Sequence, residues 1–291
     1  MARIRFISQS ILQVGNILGE CPLWHPQEHA LYWLDIDAGL LQRYRPALKQ
    51  LEVFDLGKRA GSFGFRKDGG LVIATESGFA FWSERDGLSE DFAPVYPQGS
   101  PNMMNDGRVD SQGRFWAGSK GPVGSSSLFC LAAHGKYTRV LDKLTIANGI
   151  DWSPDGKYCY FTDSGEQAIY RFTIKEGQLR AKEVIFSTIG RGEPGTPDGL
   201  CVDAAGNIWS AIWDGSKVVQ LSREGETLQE IYLPISRPTS LTFGGSDLQD
   251  LYITSASVEL SPEQLSNQPQ AGDVFCCRVE IPGRPPHFYA G

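Results

Sequence analysis

The chain is poor in the features that announce the commoner kinds of protein. Its cysteines, at positions 21, 130, 159, 201, 276 and 277, include no C-x-x-C pair. In a chain of 291 residues they read as reduced, mostly buried thiols, not as a disulfide framework or a zinc cluster. Positive charge is scarce and scattered, 27 Lys and Arg against 34 Asp and Glu, for a formal net charge of -7. That excludes the basic footprint of nucleic-acid binding and the polybasic segments drawn to anionic membranes. No apolar run approaches the roughly 18 residues of a membrane-spanning helix. The opening MARIRFISQSILQVGN lacks the apolar core of a secretory signal. Its Ile, Phe and Val recur among polar residues, as in a first strand, and a cytoplasmic protein is the default expectation. Helical periodicity is nearly absent: the best candidate, SPEQL at Ser261 to Leu265, spans barely a turn. There is no G-x-S-x-G nucleophile elbow and no EF-hand loop.

What is present is strand after strand. Short apolar runs such as ALYWLDI, GLVIATE, GRFWAGS, KYCYFTD, NIWSAIW and DLYITSA are separated by Gly, Asp and Pro. They share a pattern: an apolar approach, a polar turn, then an aromatic-rich strand. GIDWSPDGKYCYFTD (149–163), GLCVDAAGNIWSAIW (199–213) and GRVDSQGRFWAGS (107–119) are clear copies, with three looser ones. Aligning them places Trp24, Phe65, Val109, Trp152, Val202 and Phe243 in one column, about 41 to 50 residues apart. That is the period of a four-stranded propeller blade. Six copies predict an all-β, six-bladed β-propeller as one domain over residues 1–291. A β-sandwich, the competing all-β architecture, needs no constant period. The late segment GDVFCCRVEI (272–281) is a further strand, expected to share a blade with the N-terminal strand and close the ring.

Four residues before each column position stand Glu20, Gly61, Asn105, Asn148, Asp198 and Thr239. Equivalent positions of a propeller face one another across its channel, so four oxygen-bearing side chains from distant parts of the chain should converge. Two carboxylates and one or two amide carbonyls suit a hard divalent cation, Ca²⁺, Mg²⁺ or Mn²⁺, with Zn²⁺ also possible. Taken singly, Asn148-Gly149, Asp198-Gly199 and Asp106-Gly107 are as readily turn residues. Turn chemistry does not require Glu20 to join the set.

At these residues the chain resembles the SMP-30/gluconolactonase/luciferin-regenerating enzyme family. The matching segments are GECPLW (19–24), NDGRVDSQGRFWAGS (105–119), ANGIDWSPDGKYCYFTDS (147–164), PDGLCVDAAGNIW (197–209) and RPTSLTFGG (237–245). The resemblance implies one metal per chain held by Glu20, Asn148 and Asp198, with Asn105 beside it holding substrate and Asp198 doubling as general base. It also implies an Arg two residues before the NDG asparagine, where this chain has Met103. A thioether cannot donate as a guanidinium does. The expected consequence is a less hydroxylated substrate, unless Lys120 or Arg108 supplies the missing donor.

The implied reaction is hydrolysis of a small lactone. A metal polarises the carbonyl, and either Asp198 or a hydroxide on the metal delivers the attack. His25, His29, His134 and His287 fall outside the aligned column, so a His-based triad has no support. Two alternatives come from other classes: a calcium-binding regulatory protein of the regucalcin type, and a non-catalytic propeller scaffold. The sequence carries no signal of oligomeric state.

Overall fold

The computed structural model describes every residue except Met1, Ser8, Arg191 and Glu193. The strands form six sheets, antiparallel but for one added edge strand, each built mainly from consecutive stretches of chain. The innermost strands are Gly19–His25, Ala60–Phe65, Met103–Val109, Ala147–Trp152, Thr196–Val202 and Pro238–Gly244. Each packs against the next, and the last packs against the first. The result is a six-bladed β-propeller around a central channel.

The aligned column lands in equivalent places. Trp24, Phe65, Val109, Trp152, Val202 and Phe243 lie at or next to the end of their innermost strands. They pair with Leu31, Leu71, Phe115, Cys159, Ile208 and Leu251 of the second strands. Burial explains why these runs are apolar throughout instead of alternating. Inner strands are covered on both faces by neighbouring blades, so every residue of Ala30–Asp35 is buried. The outermost strand of the same blade, Gln50–Asp55, alternates between exposed and half-buried. Trp33 and Trp209 are among the largest fully buried side chains. Each such aromatic contributes about 2–3 kcal/mol relative to exposure.

The repeated polar turn has a local cause. Asp110 accepts from the backbone N–H of Gln112 and Arg114 and from the Trp116 indole N–H at 2.8 Å. Asp203 does the same for Ala205, Asn207 and Trp209, the last at 3.0 Å. One carboxylate thus closes the hairpin and fixes the aromatic that follows it.

Ring closure differs in part from the expectation. Phe275–Arg278 is the third strand of the sixth sheet, and Leu12 bridges to Val274 beside it. The N-terminal segment therefore completes the C-terminal blade through residues 11 and 12. The first strand proper, Arg3–Phe6, instead adds in parallel to Thr227–Tyr232 on the fifth sheet. The short helix is Pro262–Asn267, opened by Ser261 and Gln264 as a capping box. Among the described residues no helix is long and apolar enough to cross a membrane.

One end of the channel is sealed by the C-terminal tail. Tyr289 is fully buried; its N–H donates to the Phe65 carbonyl at 2.7 Å and its hydroxyl to that of Ala132 at 2.8 Å. Arg284 donates to Asp151 at 3.2 Å and to the Trp152 carbonyl at 2.6 Å.

Candidate active site

In all six blades the ladder between the first and second strands slips near the start of the innermost strand. The slips fall between Glu20 and Leu23, Ala60 and Ser62, Met104 and Gly107, Ala147 and Ile150, Pro197 and Leu200, and Pro238 and Leu241. Each bulge begins at or contains the position four before the column residue. A bulge takes a residue out of the ladder and re-aims its side chain. The repeat therefore turns Glu20, Asn105, Asn148 and Asp198 into one cavity of about 490 Å³, together with Lys120, Ser164 and Trp213.

The Asn-Gly and Asp-Gly pairs are not turns. Asn148-Gly149 and Asp198-Gly199 lie within strands. A Cβ on Gly149 would sit 2.3 Å from the Leu200 nitrogen, and one on Gly199 would sit 2.2 Å from the Ser240 hydroxyl. These glycines let adjoining blades approach closely where the bulge presents a polar side chain. The two remaining column positions do other work. Gly61 has no side chain to offer, and the Thr239 hydroxyl donates to the Gly19 carbonyl, joining the sixth blade to the first.

The cavity side chains are oriented by the frame. Asn148 Nδ2 donates to Ser164 Oγ at 3.0 Å, and Ser164 Oγ donates to the Pro197 carbonyl at 2.8 Å. This chain of bonds fixes which end of the Asn148 amide is the oxygen facing away from Ser164. Asn105 Nδ2 donates to the Ala147 carbonyl at 3.0 Å. One oxygen of Glu20 accepts from the Cys21 N–H at 2.9 Å. Among the described residues, Asn148 Oδ1 and Asp198 Oδ1 are buried with no hydrogen-bond partner. A buried acceptor without a donor costs about 1–3 kcal/mol.

Charge deepens the imbalance. Burial, then the nearby Asp198 and Asp106 charges, hold the Glu20 carboxyl well above the usual range. Burial, then Asp106, does the same to Asp198, against the pull of Lys120. Asp106 is pushed up to about 6 by burial, with Arg108 acting against it. Glu20 and Asp198 line a cavity with orphaned oxygens, and Asp106 is buried near both. Buried acids with unsatisfied oxygens are chemistry that suits a hard divalent cation. Among the described residues no three His, Cys, Asp or Glu side chains cluster as a metal site. The cavity holds two acids, Glu20 and Asp198, beside the Asn148 amide oxygen.

Met103 and Arg108 lie elsewhere. Met103 is 6% exposed, belongs to the apolar cluster that contains Leu18, Cys21 and Ala60, and borders a separate recess with Arg59 and Asn102. It is not among the side chains lining the central cavity. Arg108 lines a small pocket of about 30 Å³ with Asp151 and Arg284, where it donates to the Leu200 carbonyl at 3.2 Å. Of the two cations considered in place of Met103, only Lys120 reaches the central cavity.

Two contributors had no clear mark in the sequence. Asp106 follows Asn105, and plain strand alternation would send it to the opposite face; the bulge keeps it buried beside the other acids. Ser164 follows the FTD strand end and shows its part only through the bond to Asn148.

The fold and the cavity define a class: a six-bladed propeller with a carboxylate and carboxamide pocket at the channel mouth. The family described as SMP-30/Gluconolactonase/LRE-like region matches residues 18–257. The 6-deoxy-6-sulfogluconolactonase of Pseudomonas putida is 37% identical over 97% of this chain and 98% of its own length. Regucalcin of Danio rerio is 33% identical over 97% and 98%. The crystal structure of a calcium-binding protein, regucalcin, from Agrobacterium tumefaciens superposes with a TM-score of 0.93 at 26% identity, covering 99% of each chain. The chain belongs to the SMP-30/gluconolactonase/luciferin-regenerating enzyme family.

Proposed function

We propose that the chain is a metal-dependent lactonase opening a small, sugar-derived lactone such as gluconolactone. The observation that carries this is the pair of buried, partnerless oxygens, Asn148 Oδ1 and Asp198 Oδ1, in one cavity with Glu20. Glu20, Asn148 and Asp198 would hold a divalent ion, Ca²⁺, Zn²⁺, Mn²⁺ or Mg²⁺. When bound, that ion would supply Lewis acidity to the lactone carbonyl. Ser164 keeps the Asn148 oxygen aimed into the cavity. Asn105, tied through its nitrogen to Ala147, offers its carbonyl oxygen to a substrate hydroxyl. Asp198 takes the proton from the attacking water. The lactonase name of the Pseudomonas relative supports the same reaction class.

A calcium-holding regulatory role would use the same oxygens, and the Agrobacterium neighbour is described as calcium-binding. The cavity favours hydrolysis, because about 490 Å³ accommodates a small molecule beside an ion. The test is Asp198→Asn, assayed at saturating metal after occupancy is measured directly. Turnover should fall by about 10²-fold or more, the scale of a lost general base. Near-normal turnover in the fully loaded variant would leave Asp198 as a ligand alone.

A further inference from the structure

Lys120 ends the strand Phe115–Lys120 and pairs across the hairpin with Met103. An isolated bridge to Ile146 ties its backbone to the start of the fourth blade. Its half-buried side chain lines the central cavity, and it is the one basic side chain among the described residues that do so. Nearby cations are spoken for. Arg237 is bound to Asp214 at 2.7 Å and lies over the Trp213 ring at 4.8 Å. Arg108 faces Asp151 at 3.7 Å. Among the described residues the Lys120 side chain has no ion-pair or hydrogen-bond partner, and its charge is felt at both Glu20 and Asp198.

The surrounding wall is otherwise rich in acceptors: Glu20, Asp198, Asn148 and Asn105, with Asp37 and Asp214 further out. An ammonium carries three donors and no acceptor. A ligand matched to such a wall must both give and receive hydrogen bonds around its ring, as a polyol does. A ring without hydroxyls would leave the Lys120 ammonium to water alone. Sites built to bond a hydroxyl discriminate strongly against analogues that lack it.

We propose that Lys120 is the specificity-determining donor of this cavity, binding ring hydroxyl oxygens of a polyhydroxylated lactone. This rests on the lactonase reading of the same cavity and names the residue that selects its substrate. It also replaces the expectation, drawn from Met103, of a less hydroxylated substrate: the donor absent at position 103 is present on the paired strand.

The test needs no turnover. Wild type, Lys120→Met and Lys120→Arg, each with metal content verified, are titrated calorimetrically with glucono-δ-lactam and with δ-valerolactam, unreactive mimics with and without ring hydroxyls. Lys120→Met should weaken glucono-δ-lactam by roughly ten- to hundredfold, the range of a hydrogen bond to a charged group. Binding of δ-valerolactam should stay within about twofold, and Lys120→Arg should recover most of the loss. An equal change for both lactams, or no binding of glucono-δ-lactam by wild type, would overturn the proposal. So would a Lys120→Met protein that binds metal more tightly but discriminates between the lactams as wild type does, since Lys120 would then be only a counter-charge to Glu20 and Asp198. Lactones assayed with the same proteins separate the two readings. Absent turnover alongside intact lactam discrimination would remove the lactonase reading and leave the role of Lys120 in place.

Discussion

The two ends of the channel use similar residue types in opposite ways. At the tail-sealed end, Asp151 is fully engaged. It accepts from the Val202 N–H at 2.8 Å, from the Trp152 N–H at 2.7 Å and from Arg284 at 3.2 Å. The space left there is about 30 Å³, room for little more than a water molecule. At the open end, among the described residues, Glu20 and Asp198 have no guanidinium partner and two oxygens lack donors, and the cavity is about 490 Å³. Buried charge that is satisfied within the fold is structure. Buried charge left wanting, beside space for a ligand, marks a site.

Exchanging the perturbation between the two ends should separate these roles. The largest effect is expected from Asp198→Ala: loss of metal binding and of lactone turnover by 10²-fold or more, with the fold retained in circular dichroism. Metal content unchanged in both Asp198→Ala and Glu20→Ala would break the ligand assignment. Next is Asp151→Ala at the sealed end. It strands Arg284 and Arg108 without their carboxylate, and should cost about 3–5 kcal/mol in denaturant unfolding. Metal affinity should be unchanged; if it fell in step with stability, the two ends would not be independent.

A smaller effect distinguishes the ends by pH. Glu20, Asp198 and Asp106 have carboxyls raised above their ordinary values of 4.5 and 3.8, Asp106 to about 6. A group with a raised acid pKa binds its proton more tightly folded than unfolded. Its stabilising effect is full below the ordinary value and is lost as pH rises through the folded value. Metal-stripped protein should therefore melt lower at pH 8 than at pH 5, by roughly 5 °C. A divalent ion should raise the melting temperature more at pH 8 than at pH 5, because protons no longer compete for the same oxygens. Equal metal-induced shifts at both pH values would contradict the burial of unpaired carboxyls. The smallest change is Ser164→Ala. It frees the Asn148 amide to rotate and should weaken metal binding roughly tenfold, the lower range for loss of a residue supporting a ligand.

The architecture was legible because a propeller writes its symmetry into the sequence. The column from Trp24 to Phe243 marks the ends of six equivalent strands, and the position four before it marks the bulges. Convergence of Glu20, Asn105, Asn148 and Asp198 followed from that register. What stayed hidden depends on features with no periodic signature. Asn-Gly and Asp-Gly look the same in a turn as in a bulge pressed against the next blade. Met103 and Lys120 are neighbours only through hairpin pairing, so which side chain enters the cavity was not written in their separation along the chain. The place of Arg3–Phe6 on the fifth blade was equally hidden, because a four-residue edge strand carries no information about its partner.

The most direct test is a lactone panel run on chelated protein, with metal removal verified, followed by re-addition of single divalent ions. The expected result is that turnover disappears with the metal and returns on adding one ion, and that Glu20→Gln needs a higher concentration of that ion for the same recovery. Full turnover by verified metal-free protein would contradict the assignment of Glu20, Asn148 and Asp198 as the centre of a metal-dependent lactonase.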